Sequence, residues 1–299
     1  MKARIVCATP FGEGPVWCED GTLVVCNVAG ELYRVLPEDG RAVRIADTRG
    51  GANGAAPARG GGFLVTQNGG IDFASLGIFP DPPPCRPAEP GLQYAAPDGA
   101  VRYVAKGGFS APNDLVVASD NTVYFTDPPP MKVEWRDGQV HVIWPDPPAG
   151  RVMALRPDGA LEVYAKDFVY CNGIGLDRDG HVVVVEAHGL QRVFPDGSRE
   201  WIVENLGIGG GDGFCVDMEG RFYVAGTVGQ CVRVVDPDGR IVEVLETPGG
   251  DQIPTNCCFG GADNRTLFAV EMPGRVVCWE NMPTPGRPLT PWTPHFPAD

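Results

Sequence analysis

The sequence predicts an all-β protein, folded as a six-bladed β-propeller with four-stranded antiparallel blades. A first hairpin pattern occurs six times, and a second hairpin pattern follows most of its copies. The chain of 299 residues also contains 41 glycines and 30 prolines. Such a composition favours many turns and few long helices.

Each copy of the first pattern starts with an acid or an amide, and an apolar, strand-like run begins ten residues later. In the first copy, EGPVWCEDGTLVVCN, the run is LVVC, and in the fourth, NGIGLDRDGHVVVVE, it is VVVV. The sixth copy has one additional residue before its run, LFAV. The six copies start at Glu13, Asn53, Asn113, Asn172, Asp212 and Asn256.

The second pattern is an apolar strand, a turn such as PDG, and another strand. Examples are GRVMALRPDGALEVYAKD and QCVRVVDPDGRIVEVLE. Together the two patterns predict a four-stranded antiparallel meander, and six meanders around one axis form a propeller. A sandwich or two stacked barrels would not require the same acid or amide before each first hairpin.

We expect residues 1–299 to form a single propeller domain. The sixth copy ends with GRVVCWENM and a Pro-rich tail, without an evident fourth strand. The amino-terminal segment ARIVCA supplies a candidate for that strand. We therefore expect the amino-terminal strand to close the ring, which would also protect the sheet edges.

Composition excludes several classes of partner. A net charge of −14 argues against a nucleic acid, whose binding needs clustered Lys and Arg. Neither a long apolar run nor a signal pattern is evident, so we expect a soluble, cytoplasmic protein without a membrane partner. Most of the ten cysteines lie in strand-like runs and none forms a CxxC pair, which favours buried thiols over disulfides. The sequence does not indicate an oligomeric state.

Two Pro-rich insertions interrupt the repeats. One lies between Ile71 and Pro97, and the other lies between Asp127 and Gly150. They are interpreted either as stiff loops over one mouth of the propeller, where specificity would reside, or as surface elaborations without a function. The sequence leaves both interpretations open.

The six repeat starts are candidates for a shared site. If each begins an innermost strand, their side chains converge on the central channel. Two carboxylates in such a space need compensation, because an unpaired buried charge is costly. Carboxylate and amide oxygens suit calcium, magnesium or manganese. The alternative is that these Asn-Gly and Asp-Gly pairs only form turns, but six in register favour a metal site.

Other polar residues are weaker candidates. His188, in EAHG, lies two residues beyond a predicted strand end and is either a substrate-orienting residue or a hydrogen-bonded turn residue. A further group follows its repeat starts by 14 or 15 residues, and its members are either channel residues or blade caps. This group consists of Gln67, Asp127, Glu186 and Glu271. Of these, Gln67 is taken as a candidate substrate contact.

Five short motifs, in this order and spacing, resemble the gluconolactonase/regucalcin family. They are EGPVW (13–17), PNDL (112–115), YFTDP (124–128), CNGIGLD (171–177) and GDGFCVD (211–217). The resemblance covers nearly the whole chain. It implies a six-bladed propeller with a divalent metal in its channel, related to diisopropyl fluorophosphatase.

Carried over by motif, the resemblance implies that Glu13, Asn172 and Asp212 are metal ligands. It also implies that Asn113 contacts the metal or the substrate, and that Asp212 is a general base. The metal would be Ca²⁺ first, with Zn²⁺, Mn²⁺ or Mg²⁺ as alternatives. Animal aldonolactonases of the family carry an arginine two residues before this asparagine, where this chain has Ala111. A sugar lactone is therefore not specifically implied.

The expected activity is the hydrolysis of a small lactone. A channel metal would polarise the carbonyl, and water, either metal-bound or activated by Asp212, would attack it. Two alternatives stay open at this point. One is a phosphotriesterase that resembles diisopropyl fluorophosphatase, and the other is a non-catalytic propeller that binds calcium or another ligand.

Overall fold

A computed structural model of the chain contains six four-stranded antiparallel sheets, and it confirms the predicted six-bladed propeller. It describes residues 1–137 and 139–296, with the backbone alone at 139 and 140. Residue 138 of the second Pro-rich insertion and residues 297–299 of the expected domain lie outside the described residues.

The first strand, β1 (Arg4–Cys7), belongs to the last blade. Blade 1 consists of β2 (Gly12–Trp17), β3 (Leu23–Asn27), β4 (Glu31–Leu36) and β5 (Arg41–Asp47). Blade 2 consists of β6 (Ala52–Pro57), β7 (Phe63–Gln67), β8 (Gly91–Ala95) and β9 (Val101–Lys106), with helix α1 (Phe73–Leu76) between β7 and β8. Blade 3 begins with β10 (Leu115–Val117) and β11 (Val123–Asp127). A separate hairpin follows, formed by β12 (Val133–Arg136) and β13 (Gln139–Val142), before the later strands of blade 3.

Blade 3 is completed by β14 (Gly150–Leu155) and β15 (Leu161–Phe168). Blade 4 consists of β16 (Cys171–Leu176), β17 (Val182–Glu186), β18 (Gly189–Val193) and β19 (Arg199–Val203). Blade 5 consists of β20 (Phe214–Val216), β21 (Phe222–Gly226), β22 (Cys231–Val235) and β23 (Ile241–Glu246). Blade 6 consists of β24 (Ile253–Gly260), β25 (Thr266–Met272), β26 (Arg275–Trp279) and β1.

The hydrophobic cores lie between neighbouring blades. In β17, Val182 and Val184 belong to a core shared with blade 3, whereas Val183 and Val185 belong to one shared with blade 5. Successive side chains of a strand point to opposite faces, so both faces of β17 are buried. The second strands therefore appear in the sequence as continuous apolar runs, as buried strands do.

Strand β1 is the outermost strand of the sixth sheet. It pairs antiparallel with β26, with Arg4 opposite Cys278 and Ile5 opposite Val277. Both ends of the chain thus contribute strands to one blade. The Arg4 guanidinium also donates to the Glu280 carboxylate at 2.8 Å beside this pairing.

The innermost strands are β2, β6, β10, β16, β20 and β24, and hydrogen bonds join neighbouring blades around the channel from blade 2 through blade 6 to blade 1. We call the face at which they begin the upper face and the face at which they end the lower face. Three of these bonds are donated by backbone N–H groups: Gly54 to the Asn113 carbonyl (2.8 Å), Gly173 to the Asp212 carbonyl (3.2 Å) and Gly213 to the Thr255 carbonyl (2.7 Å). Two are donated by threonine hydroxyls: Thr126 Oγ1 to the Asn172 carbonyl (2.6 Å) and Thr255 Oγ1 to the Gly12 carbonyl (2.8 Å). These bonds lie at the level of the repeat starts and link the six blades there.

Both Pro-rich insertions lie on the upper face, because each connects the second and third strands of its blade. The first includes α1, and the second includes the β12–β13 hairpin. The two insertions touch, since Trp135 Nε1 donates to the Leu76 carbonyl at 3.1 Å. Phe73 and Phe79 pack on Phe11 with ring centroids 5.6 and 5.1 Å away. This packing attaches the first insertion beside the channel mouth.

The segment 285–293 crosses the lower face, and we call it the strap. Arg287 N–H donates to the Val216 carbonyl in blade 5, and Trp292 N–H donates to the Pro57 carbonyl in blade 2, both at 2.8 Å. Blades 5 and 2 are opposite one another in the ring, so the strap spans its diameter. A cavity of about 1580 Å³ lies between the strap and the channel, lined by Asp114 and Asn256 among others.

Within the described residues, no helix is long and apolar enough to cross a membrane. All ten cysteines lie in the described part of the chain and are free thiols.

Candidate active site and metal centre

The structure places the repeat starts at the upper ends of the inner strands. Four of them lie inside these strands: Glu13, Asn53, Asn172 and Asn256. Asn113 and Asp212 lie two residues before β10 and β20. The ring hydrogen bonds pass through this level of the channel, so all six residues surround one axis.

Glycines next to the repeat starts allow the inner strands to approach closely. A Cβ on Gly14, whose φ is +33°, would lie 2.2 Å from the Asn53 carbonyl oxygen. A Cβ on Gly213 would lie 2.0 Å from Asn256 Cγ. A larger residue would displace the neighbouring backbone at Gly14 and the Asn256 side chain at Gly213. The Asn-Gly and Asp-Gly pairs therefore shape the channel rather than only forming turns.

Three buried or half-buried carboxylates share the channel: Glu13, Asp114 and Asp212. Burial raises the pKa of Glu13 well above its ordinary value, and the negative charges of Asp212 and Asp114 raise it further. Burial and the charge of Asp114 raise the pKa of Asp212 to about 8, although hydrogen bonds from Asn172 and Gly213 oppose the shift. Burial raises the pKa of Asp114 to about 6. Carboxylates that share a buried site in this way raise one another's pKa, because their charged forms repel.

Asp114 is a channel residue that the sequence reasoning missed. Its Oδ1 accepts from Leu115 N–H at 2.8 Å, and its Oδ2 accepts from Asn256 Nδ2 at 3.3 Å. A Cβ on Gly54 would lie 2.6 Å from Asp114 Oδ1, so that glycine makes room for the carboxylate. A sequence signal existed, because the position after the repeat start is glycine in four copies and an acid only here.

The oxygen atoms of the channel fit a hard divalent cation. Among the described residues, no Lys, Arg or His forms an ion pair with Glu13, Asp114 or Asp212. Asn172 Oδ1 and Asn53 Oδ1 are buried and lack a hydrogen-bond partner within the described structure. Carboxylate and amide oxygens without thiolate or imidazole are the ligand set of calcium, magnesium or manganese. A cation would supply the positive charge that these carboxylates need.

Residues at the ends of the second strands hold the segments that lead to the repeat starts. Asp127 Oδ1 accepts from the N–H groups of Ser110 and Ala111 at 2.8 and 2.9 Å, just before Asn113. Glu186 Oε1 accepts from Val169 N–H at 2.7 Å in the equivalent position of blade 4. These carboxylates thus act as caps, which was one of the two interpretations of the sequence.

Gln67 is the equivalent residue of blade 2, and it is fully buried. Its Oε1 accepts from Gly51 and Gly69 N–H, at 2.7 and 3.0 Å, and its Nε2 donates to the Arg49 carbonyl at 2.8 Å. Both ends of the amide are thus engaged with backbone groups. These contacts are those of a structural cap, and the function proposed below does not use Gln67 as a substrate contact.

His188 is exposed on the upper face and lies beside two aromatic residues that the sequence reasoning did not select. The Trp144 ring is perpendicular to the His188 ring at a centroid distance of 5.8 Å, and its centroid is 5.7 Å from that of Tyr170. Burial raises the pKa of the Tyr170 hydroxyl, and the charge of Asp212 adds to the shift. Of the three rings, Tyr170 is therefore the one whose hydroxyl feels the charge of Asp212.

A second cluster of possible ligands, Asp177, Asp179 and His181, lies in the lower-face turn between β16 and β17. The Asp177 carboxylate accepts from Arg192 Nε at 2.7 Å and from the N–H groups of Asp179 and His181 at 2.9 Å. This aspartate is thus already paired with an arginine and with its own turn. We assign the cluster to turn structure.

The fold and the channel define a class: a six-bladed propeller whose inner strands bring carboxylates and amides to one central point. A family model described as the SMP-30/Gluconolactonase/LRE-like region matches residues 11–271. The chain belongs to this family.

The individual relatives described next share 19–25% sequence identity with this chain. A gluconolactonase from Zymomonas mobilis is 25% identical over 178 residues, which cover 54% of this chain and 48% of that protein. The match therefore spans about half the length of that relative. The structure of a gluconolactonase from Xanthomonas campestris has a TM-score of 0.69 at 25% identity, covering 95% of this chain and 88% of that one. The structure of a calcium-binding regucalcin from Agrobacterium tumefaciens has a TM-score of 0.75 at 19% identity, covering 97% of both chains.

Proposed function

We propose that this protein is a metal-dependent hydrolase that opens a small lactone, and that Glu13, Asn113, Asn172 and Asp212 hold a divalent cation, Ca²⁺ first, in the channel. The observation that carries the proposal is the group of clustered channel carboxylates without a basic partner among the described residues. Membership in the family and the gluconolactonase relatives support the reaction class. Ten free cysteines support the expected cytoplasmic location.

The proposed reaction assigns a task to each residue. When bound, the cation polarises the lactone carbonyl and stabilises the negative charge that develops on its oxygen. Asp212 accepts a proton from the attacking water at its carboxylate oxygen, while the water oxygen bonds to the carbonyl carbon. The ring C–O bond then breaks, and the ring oxygen takes up the proton to leave a hydroxy acid.

We assign to Asn172 and Asn113 the positioning of the reacting groups around Asp212. The Asn172 side chain lies beside the Asp212 carboxylate and lowers its pKa, which favours the charged form that accepts a proton. Asn172 Oδ1 is left for a ligand. The Asn113 backbone is fixed by blades 2 and 3, because its carbonyl accepts from Gly54 N–H and the Thr66 hydroxyl, and its N–H donates to the Thr126 carbonyl. Its side chain is proposed to contact the metal or the substrate.

The test is hydrolysis of a panel of lactones by the metal-stripped protein, with Ca²⁺, Mg²⁺, Mn²⁺ and Zn²⁺ added back one at a time. We expect turnover that is lost with the metal and restored by at least one cation, most strongly by Ca²⁺. A silent panel, together with calorimetric proof of tight cation binding, would contradict the hydrolase and leave a binding propeller.

Glu13→Gln is expected to weaken Ca²⁺ binding by at least about tenfold, because affinity depends on the number of charged ligands. The substitution keeps the shape of the side chain and removes one negative charge. Isothermal titration of the metal-free protein measures the dissociation constant. Glu19→Gln is the matched control, since it removes the same charge from an exposed residue of the next turn. Equal affinities in the two variants would remove Glu13 from the ligand set.

A further inference from the structure

Three large apolar side chains are exposed in upper-face loops of blades 3, 4 and 5. Ile208 and Val228 are 77% and 66% exposed, and Trp144 is 37% exposed. All three lie in loops of the upper face, in three separate segments of the chain. Exposure of several large apolar residues at one place usually marks a binding surface.

These residues form a continuous rim next to Asp212. Trp144 packs against both Tyr170 and His188, with centroid distances of 5.7 and 5.8 Å. A Cβ on Gly210 would lie 3.5 Å from His188 Nδ1, and a Cβ on Gly209 would lie 2.6 Å from Val228 Cβ. Trp144 contacts His188, His188 lies against Gly210, and Gly209 lies against Val228, so these residues form one continuous surface.

The arginine beneath this rim is engaged by backbone groups. The Arg233 guanidinium lies beneath it and donates to the Gly210 and Ile208 carbonyls, both at 2.9 Å. Arg233 is buried, so its hydrogen-bonding groups are directed to the backbone rather than to the mouth. In contrast, the polar groups that could hold the lactone itself lie deeper, at Asn113, Asn172 and Asp212.

We propose that the apolar rim, formed by Trp144, Tyr170, His188, Ile208 and Val228, binds an apolar substituent on the lactone ring. The preferred substrates are then alkyl- or aryl-substituted lactones rather than unsubstituted or polyhydroxylated ones. The inference rests on the proposed function, because the position of the substituent is set by a lactone carbonyl held at the channel carboxylates.

Binding of lactams tests the rim without depending on turnover. Calorimetry would compare γ-decalactam, which carries a hexyl chain, with γ-butyrolactam, using the full-length protein saturated with Ca²⁺. We expect the wild type to bind γ-decalactam at least about tenfold more tightly, because each buried methylene adds to affinity. Trp144→Ala should lose about tenfold in γ-decalactam affinity. Trp144→Phe should retain most of it, because an aromatic ring remains.

Trp201→Ala is the matched control, because Trp201 is an exposed tryptophan on the outermost strand of blade 4. It should leave both lactam affinities unchanged. Equal affinity of the wild type for the two lactams, or the same loss in Trp201→Ala as in Trp144→Ala, would overturn the rim proposal.

A parallel rate comparison of γ-decalactone, γ-butyrolactone and gluconolactone separates the two proposals. Hydrolysis of gluconolactone or γ-butyrolactone with equal lactam affinities would reject the rim and keep the hydrolase. Binding of γ-decalactam that depends on Trp144, without hydrolysis of any lactone, would support the rim and reject the hydrolase.

Discussion

Asp212→Asn is expected to reduce kcat/KM for lactone hydrolysis by about a thousandfold at saturating Ca²⁺, within the range that a general base contributes. An amide cannot accept the proton of the attacking water, and it is a weaker metal ligand than a carboxylate. The fold should persist, because the substitution preserves the size of the side chain. It also removes a carboxyl group whose charged form is destabilised by burial and by the charge of Asp114. The melting temperature of the metal-free protein should therefore not fall.

Asp217→Asn is the control for this experiment. Asp217 lies in the same blade and is buried, but it accepts from Arg221 Nε at 2.7 Å on the lower face. Its loss should lower the melting temperature, since it leaves the half-buried Arg221 guanidinium without its buried carboxylate partner. Activity per folded molecule should be unchanged. Full activity of Asp212→Asn would reject the assignment of Asp212 as the base.

Trp292→Ala is expected to lower the free energy of unfolding by about 3–5 kcal/mol, as for other buried tryptophans. Trp292 is completely buried and belongs to the core shared by blades 2 and 3. Its N–H donates to the Pro57 carbonyl and its carbonyl accepts from Arg59 N–H, at 2.8 and 2.7 Å. The substitution thus leaves a cavity where the strap is anchored. Urea unfolding measures the change.

Leu289→Ala tests whether Trp292 itself, rather than the strap as a whole, accounts for this loss in the free energy of unfolding. Leu289 lies on the same strap and is 46% exposed. Its replacement should change the free energy of unfolding by less than about 0.5 kcal/mol, as for exposed sites in general. A loss in Trp292→Ala as small as that in Leu289→Ala would show that the strap packs loosely on the blades.

The period of the hydrophobic pattern predicted the number of blades and the positions of the inner strands. It did so because each second strand is buried on both faces and each turn carries its own glycine signal. The same register placed Glu13, Asn172 and Asp212 around one axis. It missed Asp114, because the reasoning followed only the first residue of each repeat.

The cap residues show a limit of the same kind. Asp127 and Glu186 were found at equivalent positions, but the sequence could not distinguish a cap from a channel contact. The choice depends on which backbone N–H groups lie within hydrogen-bonding distance, and those belong to the loop before the next inner strand. For Gln67, this geometry favours the cap.

The sequence by itself determined the architecture, the family and the ring of repeat starts, because these are properties of a local pattern repeated along the chain. Only the tertiary structure decided that the two insertions touch, that the strap crosses from blade 5 to blade 2, and that Trp144 meets His188. Each of these is a contact between distant segments with no shared period. They form when neighbouring blades pack side by side and the strap folds across the lower face, and local sequence encodes neither step.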